Sequence, residues 1–186
     1  MSEHISRIIR SLSLVDEKVI GIYLVGSRLW GTHSKLSDFD ILVIIEDLLT
    51  PSHILKSRHK NQYDVTLLTK SVFIERIKQG SFIEILCCLI EGDEAVWRTG
   101  EPVKQLIPDI GILDAWVVER NHIDYEKAKK FWIKNKKEEA FKILQHIITA
   151  TIVIKGIKQK AEIAGHLRHV ALNLHELQTL VREGAG

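Results

Sequence analysis

Two aspartates separated by one residue, Asp38 and Asp40, stand at the start of the strongly apolar segment 39–45. Alternate residues of a strand share one face, so an extended segment directs both carboxylates to the same side. Unpaired, their repulsion raises a pKa, and a bound divalent cation removes that cost. The spacing therefore predicts a metal-binding carboxylate pair. The structural alternative is that these acids cap helices or face solvent.

A second polar group lies upstream, where an apolar run ends at Gly26. A residue without a side chain lets backbone N–H groups approach a phosphate closely. Ser27 adds a hydroxyl donor, and Arg28 adds a guanidinium whose fork matches phosphate oxygens. Ser37 is expected to form a hydrogen bond at the end of the intervening loop and to orient the carboxylate that follows it. We predict nucleotide-binding roles for these four residues.

A third acid, Asp64, opens the apolar run 65–68. Adjacent strands lie ~5 Å apart, so Asp64 is within reach of the same metal ions. Two Mg²⁺ ions, or two Mn²⁺ ions, about 4 Å apart would hold both the attacking and the leaving oxygen of an in-line displacement. The predicted catalytic and metal-binding residues are Asp38, Asp40 and Asp64.

Gly-Ser, ten intervening residues and Asp-x-Asp within apolar flanks resembles the signature of the DNA polymerase β-like nucleotidyltransferase superfamily. Gly26, Ser27, Asp38 and Asp40 occupy its positions. The resemblance covers residues 18–70 and implies a mixed-sheet palm with the third carboxylate on a later strand, where Asp64 fits. The pattern is similar to that of small stand-alone nucleotidyltransferase-domain proteins, in which a helix and an apolar segment carrying a Glu follow, here Glu84.

Hydrophobic periodicity predicts the elements that must position these residues. Apolar runs predict buried strands at 19–25 and 39–45, and alternation predicts a third strand at 62–68. Helical spacing predicts helices at 3–18, 70–79, 81–90, 114–134, 137–160 and 162–183, with a loop or short helix at 50–60.

The predicted fold is α/β (α+β), a small mixed-sheet nucleotidyltransferase palm with flanking helices followed by a C-terminal helical bundle. Residues 91–114 hold three glycines and two of the three prolines, which marks a candidate boundary. We therefore expect a catalytic domain over residues 1–100 and a helical domain over residues 101–186.

Composition is that of an ordinary soluble globular protein, with 45% apolar and 27% charged residues. Residues 1–114 carry 13 basic and 16 acidic side chains, or −3, and residues 115–186 carry 13 and 8, or +5. The acidic part suits a cation site and the basic part an anionic ligand. No signal peptide or span of 18 apolar residues is evident, so cytoplasmic localisation and no membrane partner are expected. Cys87 and Cys88 are expected to be buried thiols.

The resemblance implies a metal-dependent nucleotidyltransferase, of the EC 2.7.7 class, that moves NMP from an NTP such as ATP to an acceptor hydroxyl with release of pyrophosphate. An RNA end, a small molecule and a protein hydroxyl all stay open as acceptors. One alternative is an antitoxin-type adenylyltransferase acting on a partner toxin, which implies a helical partner protein. Another is a nucleotide-binding module without turnover.

Weaker signals lie in the C-terminal half. The lysine run between residues 127 and 137 suits nucleic acid or triphosphate, but such runs are more often a solvated helix face. Tyr125, Phe131 and Trp132 are expected in the core, with base stacking as the alternative. Either Lys155 or Lys158 is a candidate contact of the triphosphate, although surface lysine is the commoner role.

Overall fold

The computed structural model describes residues 19–47, 55–59, 63–92, 94–98 and 106–184, with the backbone alone for 55–59 and 97–98. The predicted N-terminal helix at 3–18 lies outside the described residues. The predicted domain boundary between residues 100 and 101 also lies outside them, so the division into two domains stays a prediction.

Five strands form one mixed sheet in the order β3-β4-β2-β1-β5. β2 and β4 are parallel, and the other neighbouring pairs are antiparallel. The central strands are nearly continuous apolar runs because both faces of the sheet are covered. The strands are β1 Val19–Val25, β2 Phe39–Ile45, β3 Leu55–His59, β4 Tyr63–Thr69 and β5 Val96–Arg98.

Six α-helices of the described residues surround and extend this sheet, as the sequence periodicity predicts in outline. They are α1 Gly26–Trp30, α2 Lys70–Lys78, α3 Phe82–Leu89, α4 Gly111–Ile133, α5 Lys137–Ala164 and α6 Leu174–Gly184. A 3₁₀ turn, Leu167–His169, lies between α5 and α6. The predicted α/β class, with a mixed sheet and C-terminal helices, is confirmed.

One hydrophobic core joins the sheet to the C-terminal helices. Ile41 from β2, Phe82 from α3, Leu113 from α4 and Ile157 from α5 are all fully buried within it. Three residues separate α4 from α5, so the two helices return antiparallel as a hairpin. This hairpin is packed at its base, where the core lies, and extends away from it.

Four details of the predicted elements are wrong or missing. The segment 55–59 is a strand rather than a loop or short helix, because an edge position tolerates its polar sequence. The last predicted helix does not start at 162, since Gly165 ends α5 with φ +80° and α6 begins only at Leu174. The short strand β5 and the short helix α1 were not predicted.

The helix α5 is the one helix of the described ranges that is long and apolar enough to cross a bilayer. Core helices of soluble proteins share this length and apolar character. Val153 and Ile157, in its second half, are fully buried in the core. Packing against the rest of the protein accounts for the apolar character of that half.

Candidate active site

A cleft of about 670 Å³ opens between the sheet and the α4–α5 hairpin. Its size lies within the range of about 300–1,000 Å³ typical of small-molecule sites. The sheet side contributes Gly26, Asp40 and Asp64, and α2 and α3 contribute Arg76 and Glu84. The hairpin supplies the facing wall, with Trp116, Arg120, Asn121, Asp124, His146, Ile147 and Ala150.

Asp40 and Asp64 lie directly beside each other on the parallel strands β2 and β4. Burial raises the pKa of Asp40, and the neighbouring Asp64 charge raises it further. The Ser27 N–H, which hydrogen-bonds to Asp40, and the His146 charge act in the opposite direction. The net rise means that two carboxylates are held together at an electrostatic cost, which a cation would relieve.

Gly26 makes room for the Asp40 carboxylate. Its φ of +69° lies in the left-handed region, which favours glycine. A Cβ at this position would collide with the Asp40 Oδ2 atom. The absence of a side chain at Gly26 therefore has two physical reasons, the backbone conformation and the close approach of Asp40.

Asp38 is more exposed than the other two acids. It precedes β2, is exposed and does not line the cleft. Its charge is the weakest of the influences that raise the pKa of Asp40. The structure therefore brings Asp40 and Asp64 together and leaves Asp38 outside the cleft wall.

Arg28 donates hydrogen bonds to the backbone of the loop before β2. Its Nη2 donates to the Ser37 carbonyl at 2.6 Å and its Nε to the Asp38 carbonyl at 3.3 Å, while the guanidinium lies 3.9 Å from the centroid of the Phe39 ring. The Ser37 hydroxyl accepts the Ser34 N–H at 2.9 Å. Arg28 and Ser37 hold the loop in place and do not line the cleft, so their predicted contact with nucleotide stays a prediction.

An ion pair between Arg76 of α2 and Glu84 of α3 lines the cleft. Glu84 was noted in the sequence, but Arg76 was not. Arg76 Nη1 donates to Glu84 Oε1 at 2.8 Å. Glu84 is 4% exposed, and a buried carboxylate needs such a partner. Arg76 is partly exposed and keeps further N–H donors, so it offers positive charge to the cleft.

The hairpin wall was not predicted as part of the site. Arg120 Nε donates to Asp124 Oδ2 at 2.7 Å, and Asp124 is 9% exposed. The i, i+4 spacing of this pair is readable in the sequence but is common on helices. Asn121 and His146 carry no local sequence signal. Their place in the wall depends on how the hairpin packs against the sheet.

Several weaker predictions have clear outcomes. Lys158 donates to both carboxylate oxygens of Asp114 at 2.7 Å, and neither it nor Lys155 lines the cleft. The expected core positions of Tyr125 and Trp132 are wrong, since these side chains are 57% and 49% exposed. The part of the hairpin that carries them extends beyond the core, so helical periodicity alone was a poor guide there.

A side-chain hydrogen bond joins α6 to α1. Gln178 Nε2 donates to the Arg28 carbonyl at 3.2 Å. Gly31, with φ +74°, lets this side chain approach, because a Cβ there would lie 3.1 Å from Gln178 Cγ. α6 itself begins with a reciprocal cap in which Asn173 N–H donates to Glu176 at 3.0 Å and Glu176 N–H donates to Asn173 at 2.9 Å.

The donor set of the cleft fits a hard divalent cation whose other ligands come from a nucleotide. Among the residues that the structure describes, no cluster of three His, Cys, Asp or Glu side chains is placed to hold a metal ion. Magnesium, however, is usually held by one or two carboxylates together with substrate phosphates and water. Asp40 and Asp64 supply two such carboxylates.

The nucleotidyltransferase domain family matches this chain over residues 3–86, a span that includes Gly26, Asp40 and Asp64. The superfamily resemblance seen in the sequence is thereby confirmed for that span, which is just under half of the chain. The match supports a general function in nucleotidyl transfer, and members of the family usually use divalent metal ions.

One similar solved structure is a nucleotidyltransferase-like protein from Exiguobacterium sibiricum 255-15. It is 13% identical to this chain, and the alignment covers 99% of this chain and 74% of that one with a TM-score of 0.38. Among curated proteins, no match was found.

Proposed function

We propose that this protein is a metal-dependent nucleotidyltransferase of the EC 2.7.7 class, because residues 3–86 match the nucleotidyltransferase domain family. It moves NMP from an NTP, such as ATP, to an acceptor hydroxyl and releases pyrophosphate. The observation that carries the proposal is the placement of Asp40 beside Asp64 in the cleft, with the pKa of Asp40 raised. Two adjacent carboxylates repel each other when both are ionised, and a bound cation would remove that repulsion.

Asp40 and Asp64 would hold Mg²⁺ or Mn²⁺, with triphosphate oxygens completing the coordination. Asp38, at the rim, would join Asp40 in holding a second ion. When bound, these ions neutralise charge on the phosphates and orient the attacking and leaving oxygens.

The chain's own residues bind and align the substrates. Gly26 leaves space for the Asp40 carboxylate, its backbone N–H would approach the triphosphate near the start of α1, and Ser27 would add a hydroxyl donor. Arg28 and Ser37 keep the loop in position, and Arg76 offers N–H donors to the phosphates. The acceptor hydroxyl would lie beside Asp64, whose carboxylate takes its proton as the new P–O bond forms and the bond to pyrophosphate breaks.

The acceptor stays open between an RNA end, a small molecule and a protein hydroxyl, and cytoplasmic localisation is part of the proposal. Two other functions follow from the same site. An antitoxin-type adenylyltransferase would modify a toxin that copurifies as a helical partner. A nucleotide-binding module would bind NTP without transferring it.

The test is a transfer assay with each α-labelled NTP, Mg²⁺ and fractionated lysate. Asp40→Asn and Asp64→Asn should each reduce the transfer rate by about 10³-fold, equivalent to ~4 kcal/mol of transition-state stabilisation. Asp109→Asn, the same change at an exposed loop residue outside the cleft, should keep the wild-type rate. Transfer that persists in Asp40→Asn would refute this assignment, and tight NTP binding without any transfer would favour the binding module.

A further inference from the structure

The two helices of the hairpin carry large apolar side chains that face water. Of the nine large hydrophobic residues exposed in the described part of the chain, eight lie on α4 and α5. Single exposed apolar side chains are common on soluble monomers, but contiguous apolar patches larger than a few hundred Å² are rare and usually have a function. These eight are Val118, Ile123, Tyr125, Trp132, Ile133, Phe141, Ile148 and Ile163.

Five of the eight follow a seven-residue spacing. Val118, Tyr125 and Trp132 are successively seven residues apart on α4, and Phe141 and Ile148 are seven residues apart on α5. Seven residues make nearly two turns, so each set forms a stripe along one side of its helix. This is the spacing with which helices pack side by side in bundles and coiled coils.

The two stripes join into one surface, which we call the hairpin face. At the tip of the hairpin, the rings of Trp132 and Phe141 meet edge to face with centroids 5.7 Å apart. Tyr125 lies seven residues before Trp132 on α4, and Ile148 lies seven residues after Phe141 on α5. Because the two helices are antiparallel, Tyr125 lies opposite Ile148. A hydrogen bond of 3.3 Å between Asn121 and Thr151 agrees with this register.

The hairpin face is distinct from the cleft but borders it. None of its five residues lines the cleft, whereas Arg120, Asn121, Asp124 and His146 of the same two helices do. Asn121 lies between Val118 and Tyr125 along α4, so the two surfaces meet there. The apolar character of the hairpin face needs an explanation other than catalysis.

We propose that the hairpin face binds the same face of a second copy of this chain, so that two hairpins form a four-helix bundle. The face suits two-fold pairing, since each hairpin presents two heptad-spaced stripes to the other. Five large side chains, each about half exposed or more, leave roughly 500 Å² of apolar surface on one copy. Two copies bury roughly 1,000 Å², the lower limit for a specific interface, before any flanking residue is counted.

Sedimentation velocity of the full chain over a range of concentrations tests this inference. The wild type should reach a dimer, twice the chain mass of 21.3 kDa, at concentrations up to about 100 µM. The double variant Tyr125→Glu/Ile148→Glu should weaken association by about 100-fold or more, because it buries four like charges across the interface. Leu36→Glu, at the exposed apolar residue outside the hairpin, should dimerise as the wild type does.

Circular dichroism must show that the double variant is folded, and Tyr125→Ser/Ile148→Ser replaces it if it is not. A wild type that stays monomeric, or a dimer that persists in the folded double variant, overturns the inference. Flotation with phosphatidylglycerol vesicles provides a further arm. Vesicle binding that is lost in the double variant would assign the face to lipid and would also overturn it.

Discussion

Asp40 and Glu176 each accept a backbone N–H near the start of a helix, and their pKa values move in opposite directions. Asp40 accepts the Ser27 N–H at α1, and burial with the Asp64 charge raises its pKa. Glu176 accepts the Asn173 N–H at α6, and that hydrogen bond, with the Lys160 ammonium, lowers its pKa. Both carboxylates accept a backbone N–H, so burial and neighbouring charge decide the sign of the pKa shift.

The difference distinguishes a carboxylate whose charge stabilises the fold from one whose charge destabilises it. Glu176 is partly exposed with a cation beside it, so its charge strengthens the start of α6. Asp40 is half-buried next to a second acid, so its charge costs folding free energy, which a bound cation would offset. The sign of the pKa shift thus distinguishes two carboxylates that look alike in hydrogen bonding.

The largest expected effect comes from crowding Asp40. Gly26→Ala adds a Cβ that collides with the Asp40 carboxylate, so that carboxylate must move and the transfer rate should fall about 100-fold. Gly165→Ala is the matched control, because its φ of +80° imposes a similar backbone strain with no atom within 4 Å of the added Cβ. Equal losses of activity in the two variants would show that strain, and not the collision, is responsible.

A smaller effect is expected from changes to Glu176 and to its hydrogen-bond partner Asn173. Asn173→Ala removes the side chain that caps α6 and should lower stability by about 1 kcal/mol, or the Tm by about 2–4 °C. Glu176→Gln should be less stable than the wild type near neutral pH. That deficit should shrink as the pH falls through the lowered pKa, since the contribution of the charge is then lost. A deficit independent of pH would show that the charge does not stabilise α6.

The smallest expected effect is a gain in stability when Asp40 is replaced. The raised pKa of Asp40 gives a contribution to stability that is complete below the ordinary value of 3.8 and is lost as the pH rises through the raised value. Metal-free Asp40→Asn should therefore unfold a few degrees above the wild type at pH 7, with the gap closing toward pH 4. Adding Mg²⁺ with ATP should raise the Tm of the wild type only. A variant that is less stable than the wild type at pH 7 without metal would contradict this reading.

The sequence predicted β1 and β2 because apolar runs define these central strands. It also placed Asp64 within reach of Asp40, and the parallel pairing of β2 with β4 sets the two side by side. The roles of these acids stay a prediction. Arg28 shows the limit of such reasoning, since residue type suggested a phosphate ligand but gave no sign that its guanidinium also donates to the carbonyls of Ser37 and Asp38.

The remaining features depend on contacts between distant segments. The edge strand β3 is polar in sequence, and its strand conformation comes from pairing with β4. Arg120 and His146 reach the cleft only because the hairpin packs over the sheet. Exposure of Tyr125 and Trp132 likewise follows from how far the hairpin extends beyond the core, which a 3.6-residue period does not reveal.

The hydrogen bond from Gln178 to the Arg28 carbonyl joins residues 150 positions apart in the chain. During synthesis the sheet strands that carry Asp40 and Asp64 leave the ribosome long before α6 does. The turn after Gly26 therefore lacks this hydrogen bond until Gln178 has been made. A nascent chain that ended before α6 would carry both acids while the turn beside them lacked this contact.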